Sequence, residues 1–198
     1  MEYLVSYVLH LTIVGQLELV GVFFAAIYLI LISFKSKWGW LFSTMSSLTL
    51  IYAVYLSRLY FDVVLHSFFI LTSFYGWYQW SDDQNLPNRG IKKWTVKAHL
   101  TAVLICLFIS IVMGFVFDSY TQQVSSYMNA FTTVFSMFAT FLVAQKILEN
   151  WYYWFVINIV SVFLYYNTEL PLMSFMYLFY IVLSIYGYFN WKKIYANS

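Results

Sequence analysis

The amino-acid sequence predicts an all-α integral membrane protein with seven transmembrane helices, arranged as two parallel three-helix repeats joined by a linker helix. Of its 198 residues, 63% are hydrophobic and only 9% are charged. Such a composition leaves too little polar surface to cover a water-soluble domain. The charged residues also separate apolar runs of about 20 residues, the length that a helix needs to cross a bilayer.

The apolar runs define the predicted spans in chain order. They cover residues 17–34, 38–57, 63–80, 99–117, 127–145, 151–166 and 171–191. The boundary between the second and third spans depends only on the polar residues Ser57, Arg58 and Asp62. A long bent helical hairpin is therefore an alternative at that point.

An internal repeat relates the first three spans to the last three. The shift that carries Trp40 onto Trp151 also carries Lys35 onto Lys146, and it aligns the blocks Tyr75–Trp80 and Tyr186–Trp191. Because the fourth span restores the direction of the chain, both units enter the membrane from the same side, as parallel repeats do. The predicted organisation is an external tail, a first repeat, a loop with the linker helix, and a second repeat with a cytoplasmic tail, over 1–16, 17–80, 81–126 and 127–198.

The distribution of cations predicts the orientation. Nine of the ten lysines and arginines follow odd-numbered spans, and only Arg58 lies on the other side, with Asp118 and Glu169. Cytoplasmic loops carry an excess of Lys and Arg. We therefore expect the N-terminus outside and the C-terminus in the cytoplasm.

Several kinds of chemistry have no support in the sequence. It contains no Gly-rich phosphate loop, no metal-ligand spacing and no Ser/His/Asp arrangement, so we expect neither an enzyme nor an ATP-driven pump, and no catalytic residue, cofactor or metal. Asp62, Glu149 and Glu169 fall at the ends of spans, where an interfacial role is favoured. The repeat predicts a transporter, and the lack of an intramembrane carboxylate favours facilitated diffusion.

The sixth span carries the most distinctive candidate site. Trp151, Trp154 and Asn158 recur at three- and four-residue spacing, which places them on one helical face. Two indoles can stack on a flat ring while the amide bonds its edge, although an interfacial aromatic belt explains Trp151 equally well. An unpaired amide at the depth of Asn158 would cost several kcal/mol, so its partner is another helix, a water-lined cavity or a ligand.

The first repeat supplies further candidate substrate-binding residues. His66 lies inside the third span, either as a hydrogen-bonded interhelical residue or as a substrate or proton site. Ser47 is the counterpart of Asn158, but helix packing is the favoured interpretation of its hydroxyl. The remaining candidates are Tyr52, Tyr55 and Trp77.

These motifs resemble the Pnu family of bacterial vitamin transporters. The resemblance covers nearly the whole chain and rests on Trp38-Gly39-Trp40, Leu59–Asp62, Tyr75–Trp80, Glu149–Trp154 and Ile157-Asn158. It implies a three-plus-one-plus-three arrangement like that of the SWEET sugar carriers, and a homotrimer in the bacterial cytoplasmic (inner) membrane. It also implies facilitated diffusion of an unphosphorylated vitamin, which intracellular phosphorylation then traps.

The resemblance points to two branches of the family, PnuC for nicotinamide riboside and PnuT for thiamine. His66 stands where riboside carriers have Gln, and many of those carriers are longer, so the expected cargo is thiamine, with nicotinamide riboside as the alternative. A proton-coupled carrier and a seven-helix receptor are less favoured. Both vitamins are flat aromatic cations that suit a cage of Trp and Tyr, each contact contributing about 0.5 to 2 kcal/mol. The expected partners are this small molecule and the lipid bilayer, with no nucleic acid.

Overall fold

The protein is all-helical in a computed structural model that describes residues 13–56, 60–81, 90–120, 125–167 and 171–197. Seven α-helices lie within these ranges: α1 (Ile13–Ser33), α2 (Gly39–Leu56), α3 (Tyr60–Ser81), α4 (Val96–Tyr120), α5 (Ser126–Ala144), α6 (Asn150–Asn167) and α7 (Pro171–Ala196). The predicted all-α class with seven helices is confirmed, while the three-plus-one-plus-three arrangement stays a prediction. Several helices extend beyond the predicted spans, because a helix continues into polar sequence at the edge of a bilayer.

Some sequence predictions fall on residues outside the described ranges. These are the external tail before Ile13, Arg58, the loop 82–89, Glu169 and the side chain of Asp62. The described part of α2 ends at Leu56, and that of α3 begins at Tyr60.

The described helices have the apolar character of membrane spans. α1, α4 and α5 are long and apolar enough to cross a bilayer by length and composition. Within α6, Asn150–Leu164 forms a shorter apolar stretch. Large side chains such as Leu104, Phe108 and Phe115 of α4 are exposed. An apolar outer surface of this kind suits lipid rather than water.

The chain divides into two compact units, Met1–Asp82 and Asp83–Ser198. In the first unit, α2 packs against both α1 and α3. In the second unit, α6 packs in the same way against α5 and α7, and α4 packs against α5. The fourth helix therefore groups with the second unit, whereas the sequence treats it as a separate linker.

Matching tryptophan contacts appear in both units. Trp40 lies on Gly76 and meets Trp80 edge to face with ring centroids 5.5 Å apart. Trp151 lies on Gly187 and meets Trp191 with the same 5.5 Å separation. A glycine is required at each contact because any Cβ would overlap the indole ring. The two glycines therefore let α2 approach α3 closely in the first unit, and α6 approach α7 in the second.

The first helix of each sequence repeat, α1 or α5, also ends in the same turn. Lys35 after α1 and Lys146 after α5 adopt left-handed conformations with φ of 57° and 59°. The following amides, of Ser36 and Ile147, each donate to a carbonyl oxygen five residues earlier in the helix. This is the Schellman pattern, which usually uses glycine at the left-handed position. The sequence repeat is thus accompanied by a repeat of local structure.

Candidate functional site

The predicted site face of α6 is largely buried against α7. Asn158 is only 4% exposed, and its Nδ2 donates to the Oγ of Ser184 in α7 at 3.0 Å. The Ser184 hydroxyl lies 2.8 Å from the Tyr180 carbonyl oxygen, one helical turn earlier. Of the three partners that the sequence leaves open for Asn158, the structure therefore shows a side chain of another helix.

The two indoles of this face occupy different surroundings. Trp151 is 1% exposed between Gly187 and Trp191, and its Nε1 has no hydrogen-bond partner among the described residues. Trp154 is half-buried and packs against an apolar cluster formed by Cys106, Val134, Phe135, Ala139 and Ile157. Trp151 and Asn158 thus belong to the contact between α6 and α7, while Trp154 borders the cluster.

The polar side chains of the first unit mainly join helices. The Ser46 hydroxyl donates to the Gly21 carbonyl oxygen at 2.8 Å, and the Oγ atoms of Ser43 and Ser73 lie 2.7 Å apart. Ser47, the counterpart of Asn158, is buried. Its neighbours therefore serve helix packing, as the sequence suggests for this region.

The other first-unit candidates differ in exposure. His66 is half-buried with its ring edge against Phe69, and its Nδ1 is buried without a hydrogen-bond partner in the described part of the chain. Tyr52 and Tyr55 are 53% and 58% exposed. Of these three residues, His66 is the partly buried one, and it has a buried nitrogen without a hydrogen-bond partner in the described part of the chain.

Trp77 has the surroundings of an interfacial residue. Its ring meets that of Trp38 edge to face at 5.2 Å, and the Nζ of Lys37 lies 5.4 Å from its centroid. Aromatic rings beside lysines are typical of the boundary between lipid and water. This position suits an anchor at the end of α3.

A cavity of about 310 Å³ lies within the second unit, between α4, α5 and α6. Its lining is almost entirely apolar and consists of Val103, Leu107, Phe131, Phe135, Tyr152, Tyr153, Val156 and Ile157. None of the predicted site residues lines it. The face of α6 that borders this cavity is therefore different from the face that the sequence singles out.

A polar and aromatic cluster, made of Trp94, His99, Phe138, Glu149 and Tyr153, was missed by sequence reasoning. The Nδ1 of His99 and the Oη of Tyr153 lie 2.9 Å apart, and the Trp94 amide donates to the Oε2 of Glu149 at 3.3 Å. The interpretation of Glu149 as a solvated interfacial residue is incomplete, because its side chain is only 17% exposed. The four-residue spacing of Glu149 and Tyr153 was the available signal.

These features define a multi-pass membrane protein with matched local contacts in two helical units. A family model described as the nicotinamide mononucleotide transporter matches residues 15–193. The chain belongs to this family, and the resemblance to the Pnu transporters is confirmed.

Curated relatives give a finer comparison. The nicotinamide riboside transporter PnuC of Haemophilus influenzae is 28% identical over 133 residues, covering 64% of this chain and 56% of that protein. PnuC of Neisseria mucosa is 28% identical, covering 79% of this chain and 64% of the relative. PnuC of Escherichia coli K12 is 26% identical, covering 71% and 68%. The chain thus spans between 56% and 68% of the length of these relatives.

A solved structure supports the fold. The crystal structure of the vitamin B3 transporter PnuC superposes with a TM-score of 0.71 at 22% identity, covering 91% of this chain and 82% of that one. The comparisons give no support to the thiamine branch that the sequence favours. A single histidine and a short chain are weak signals, because neither one reports a contact with substrate.

Proposed function

We propose that this protein carries nicotinamide riboside across the bacterial cytoplasmic membrane. The observation that supports this proposal is the family match over residues 15–193, together with relatives that are nicotinamide riboside transporters. Nicotinamide riboside thus replaces thiamine, the cargo that the sequence favours through His66. Nicotinamide riboside and thiamine are both flat aromatic cations, so the same aromatic surroundings suit either cargo.

The proposed mechanism is facilitated diffusion. Lys146 is the buried charged side chain within the described residues, and it lies in the turn between α5 and α6 rather than within a span. Ion coupling needs a titratable or ion-binding group at membrane depth. No carboxylate of the described residues is fully buried, so in the proposed mechanism the concentration gradient of the vitamin drives its movement, and phosphorylation inside the cell keeps it there.

The proposed contacts with the vitamin centre on α6. Trp154 is half-buried, so part of its ring remains available to stack on the pyridinium. The amide of Asn158 uses one hydrogen on Ser184, and an asparagine side chain has a second hydrogen and a carbonyl oxygen to offer. We assign Trp154 to stacking and Asn158 to the ring edge, while His66, Tyr52 and Tyr55 of the first unit stay sequence-based candidates.

The proposed state in the membrane is a homotrimer with its N-terminus outside. The orientation is supported by Lys35, Lys37 and Lys146 after α1 and α5, and by Lys192 and Lys193 at the end of α7. Their positive charge favours the cytoplasmic side. The trimer follows from the family resemblance.

Uptake into proteoliposomes that contain only this protein tests the proposal. Labelled nicotinamide riboside should equilibrate across the membrane, and unlabelled nicotinamide riboside should compete better than thiamine or nicotinamide mononucleotide. Liposomes with the Asn158→Leu variant serve as the matched control. Equilibration of thiamine but not of the riboside would restore the thiamine assignment, and flux of neither would refute vitamin transport.

A further inference from the structure

The segment before α4 is fastened to the turn that precedes α6. The Lys92 amide donates to the Lys146 carbonyl oxygen at 2.9 Å, and the Leu148 amide donates to the Lys92 carbonyl oxygen at 2.8 Å. The Trp94 amide adds a third bond, to the carboxylate of Glu149. Ile91 is buried beside this joint. The start of the fourth helix and the start of the sixth are therefore held together by backbone groups.

His99 of α4 stands beside this joint within a closed ring of four aromatic side chains. Its ring centroid lies 5.6 Å from Trp94 and 5.8 Å from Tyr153. Phe138 of α5 closes the ring at 5.2 Å from Tyr153 and 6.0 Å from Trp94. Packing on both sides keeps the imidazole from turning away.

One of the two nitrogens of this imidazole lacks a hydrogen-bond partner among the described residues. The Nδ1 of His99 pairs with the Tyr153 hydroxyl, but its Nε2 is buried without a hydrogen-bond partner in the described ranges. The Oε2 of Glu149 lies 3.7 Å from this Nε2, which is somewhat too long for a hydrogen bond. A movement of less than about 1 Å would join the two side chains.

The protonation state of His99 determines how strongly its imidazole attracts the Glu149 carboxylate. When the neutral ring carries its proton on Nε2, the Tyr153 hydroxyl donates to Nδ1. In the protonated ring both nitrogens donate, so Nδ1 donates to the Tyr153 oxygen and Nε2 attracts the Glu149 carboxylate as an ion pair. Both side chains are less than a fifth exposed, at 19% and 17%, so solvent screens this attraction only in part.

Among the described residues, few other titratable groups lie around the cluster. Glu149, just before α6, and Tyr153 of α6 face His99, and from α5 the neutral Phe138 packs against Tyr153. Along α4, Cys106 lies further on, in the apolar cluster that Tyr153 also contacts. The lysines before His99 are exposed, and Lys93 points its Nζ at the Tyr195 ring, 4.6 Å away. Glu149 is therefore the group that responds to protonation of His99.

We propose that His99 is a positioning residue for transport, which fastens α4 to α6 more tightly when it is protonated and thereby slows the transport cycle. α6 carries Trp154 and Asn158, so a tighter joint at its start restricts the movement of the proposed vitamin site. The effect falls on turnover rather than on substrate affinity, because none of the cluster residues is assigned to the vitamin. This inference depends on the proposed transport function.

The first test compares uptake rates at about pH 8 and about pH 5.5. Wild-type turnover should fall about fivefold on acidification while the apparent affinity for nicotinamide riboside stays constant, since a coupling of about 1 kcal/mol changes an equilibrium by that factor. His99→Gln retains a polar group next to Tyr153 but cannot become charged, and Glu149→Gln removes the acceptor's charge. Both variants should show a flat profile. An unchanged wild-type rate, or the same fall in both variants, would overturn the proposal.

A second test needs no substrate. A double-mutant cycle of His99→Gln and Glu149→Gln on thermal unfolding should show coupling at the lower pH and little at the higher one. Coupling that is equal at both values, or absent at both, would overturn the fastening role. If the variants show this pH-dependent coupling while the wild type transports no nicotinamide riboside, the fastening role of His99 is supported and the proposed function is refuted.

Discussion

Replacing Gly187 by alanine should destabilise the second unit, because the new methyl group would overlap a fixed tryptophan. A Cβ at this position would lie 2.5 Å from both Cζ2 and Cζ3 of Trp151. Carbon atoms in ordinary contact stand about 3.5 to 4.0 Å apart. The indole is 1% exposed and rests against Trp191, so it has no free space into which to retreat.

The size of the effect follows from two opposing terms. Forcing extra volume into a packed core costs typically about 1 to 3 kcal/mol, and contact with three ring atoms at once favours the upper end. Inside a helix, alanine is more stable than glycine by about 0.5 to 1 kcal/mol, and this gain offsets part of the cost. The net cost is then about 2 kcal/mol, which lowers the unfolding temperature of a chain of this size by about 4 to 8 °C.

Thermal unfolding in detergent, followed by tryptophan fluorescence, measures this shift. Val182→Ala in α7 is the matched control, since Val182 is 61% exposed and its truncation should change little. The Trp151→Phe change makes room for the methyl group, so the double variant with Gly187→Ala should be more stable than the sum of the single effects predicts. Wild-type stability of Gly187→Ala, or strict additivity in this cycle, would refute the reasoning.

Three further predictions concern the site, the energetics and the topology. In a titration, Asn158→Leu should weaken nicotinamide riboside binding about tenfold to a hundredfold, because losing a buried hydrogen bond costs about 1 to 3 kcal/mol. The control Tyr166→Phe, at a 72% exposed position of the same helix, should bind normally. Unaltered affinity of Asn158→Leu would make α6 a packing element only. Vesicles without a trapping enzyme should not concentrate the vitamin, and accumulation driven by an imposed proton or sodium gradient would reveal coupling. A cysteine at Glu2 should react with an impermeant reagent in intact cells and one at Ser198 should not; both positions lie outside the described residues, and the reverse pattern would invert the topology.

Much of the fold is readable from residue types because the bilayer imposes simple constraints. A backbone in lipid must satisfy its own hydrogen bonds, so apolar runs of sufficient length become helices. The repeat centred on Trp40 and Trp151 likewise marks equivalent places, and each indole rests on the glycine of a corresponding block. The preference for thiamine had no such constraint behind it. It relied on His66, whose identity alone does not report what it touches.

Within the candidate site, the sequence determined that Trp151, Trp154 and Asn158 share one side of a helix, because helical periodicity is a local property. Only the tertiary structure decided that Asn158 meets Ser184, that Trp151 is enclosed by α7, and that the opposite side of α6 borders a cavity. The cluster around His99 shows the same limit. His99 and Glu149 are distant in sequence, and only the packing of α4 and its preceding segment against α5 and α6 brings an imidazole and a carboxylate to 3.7 Å.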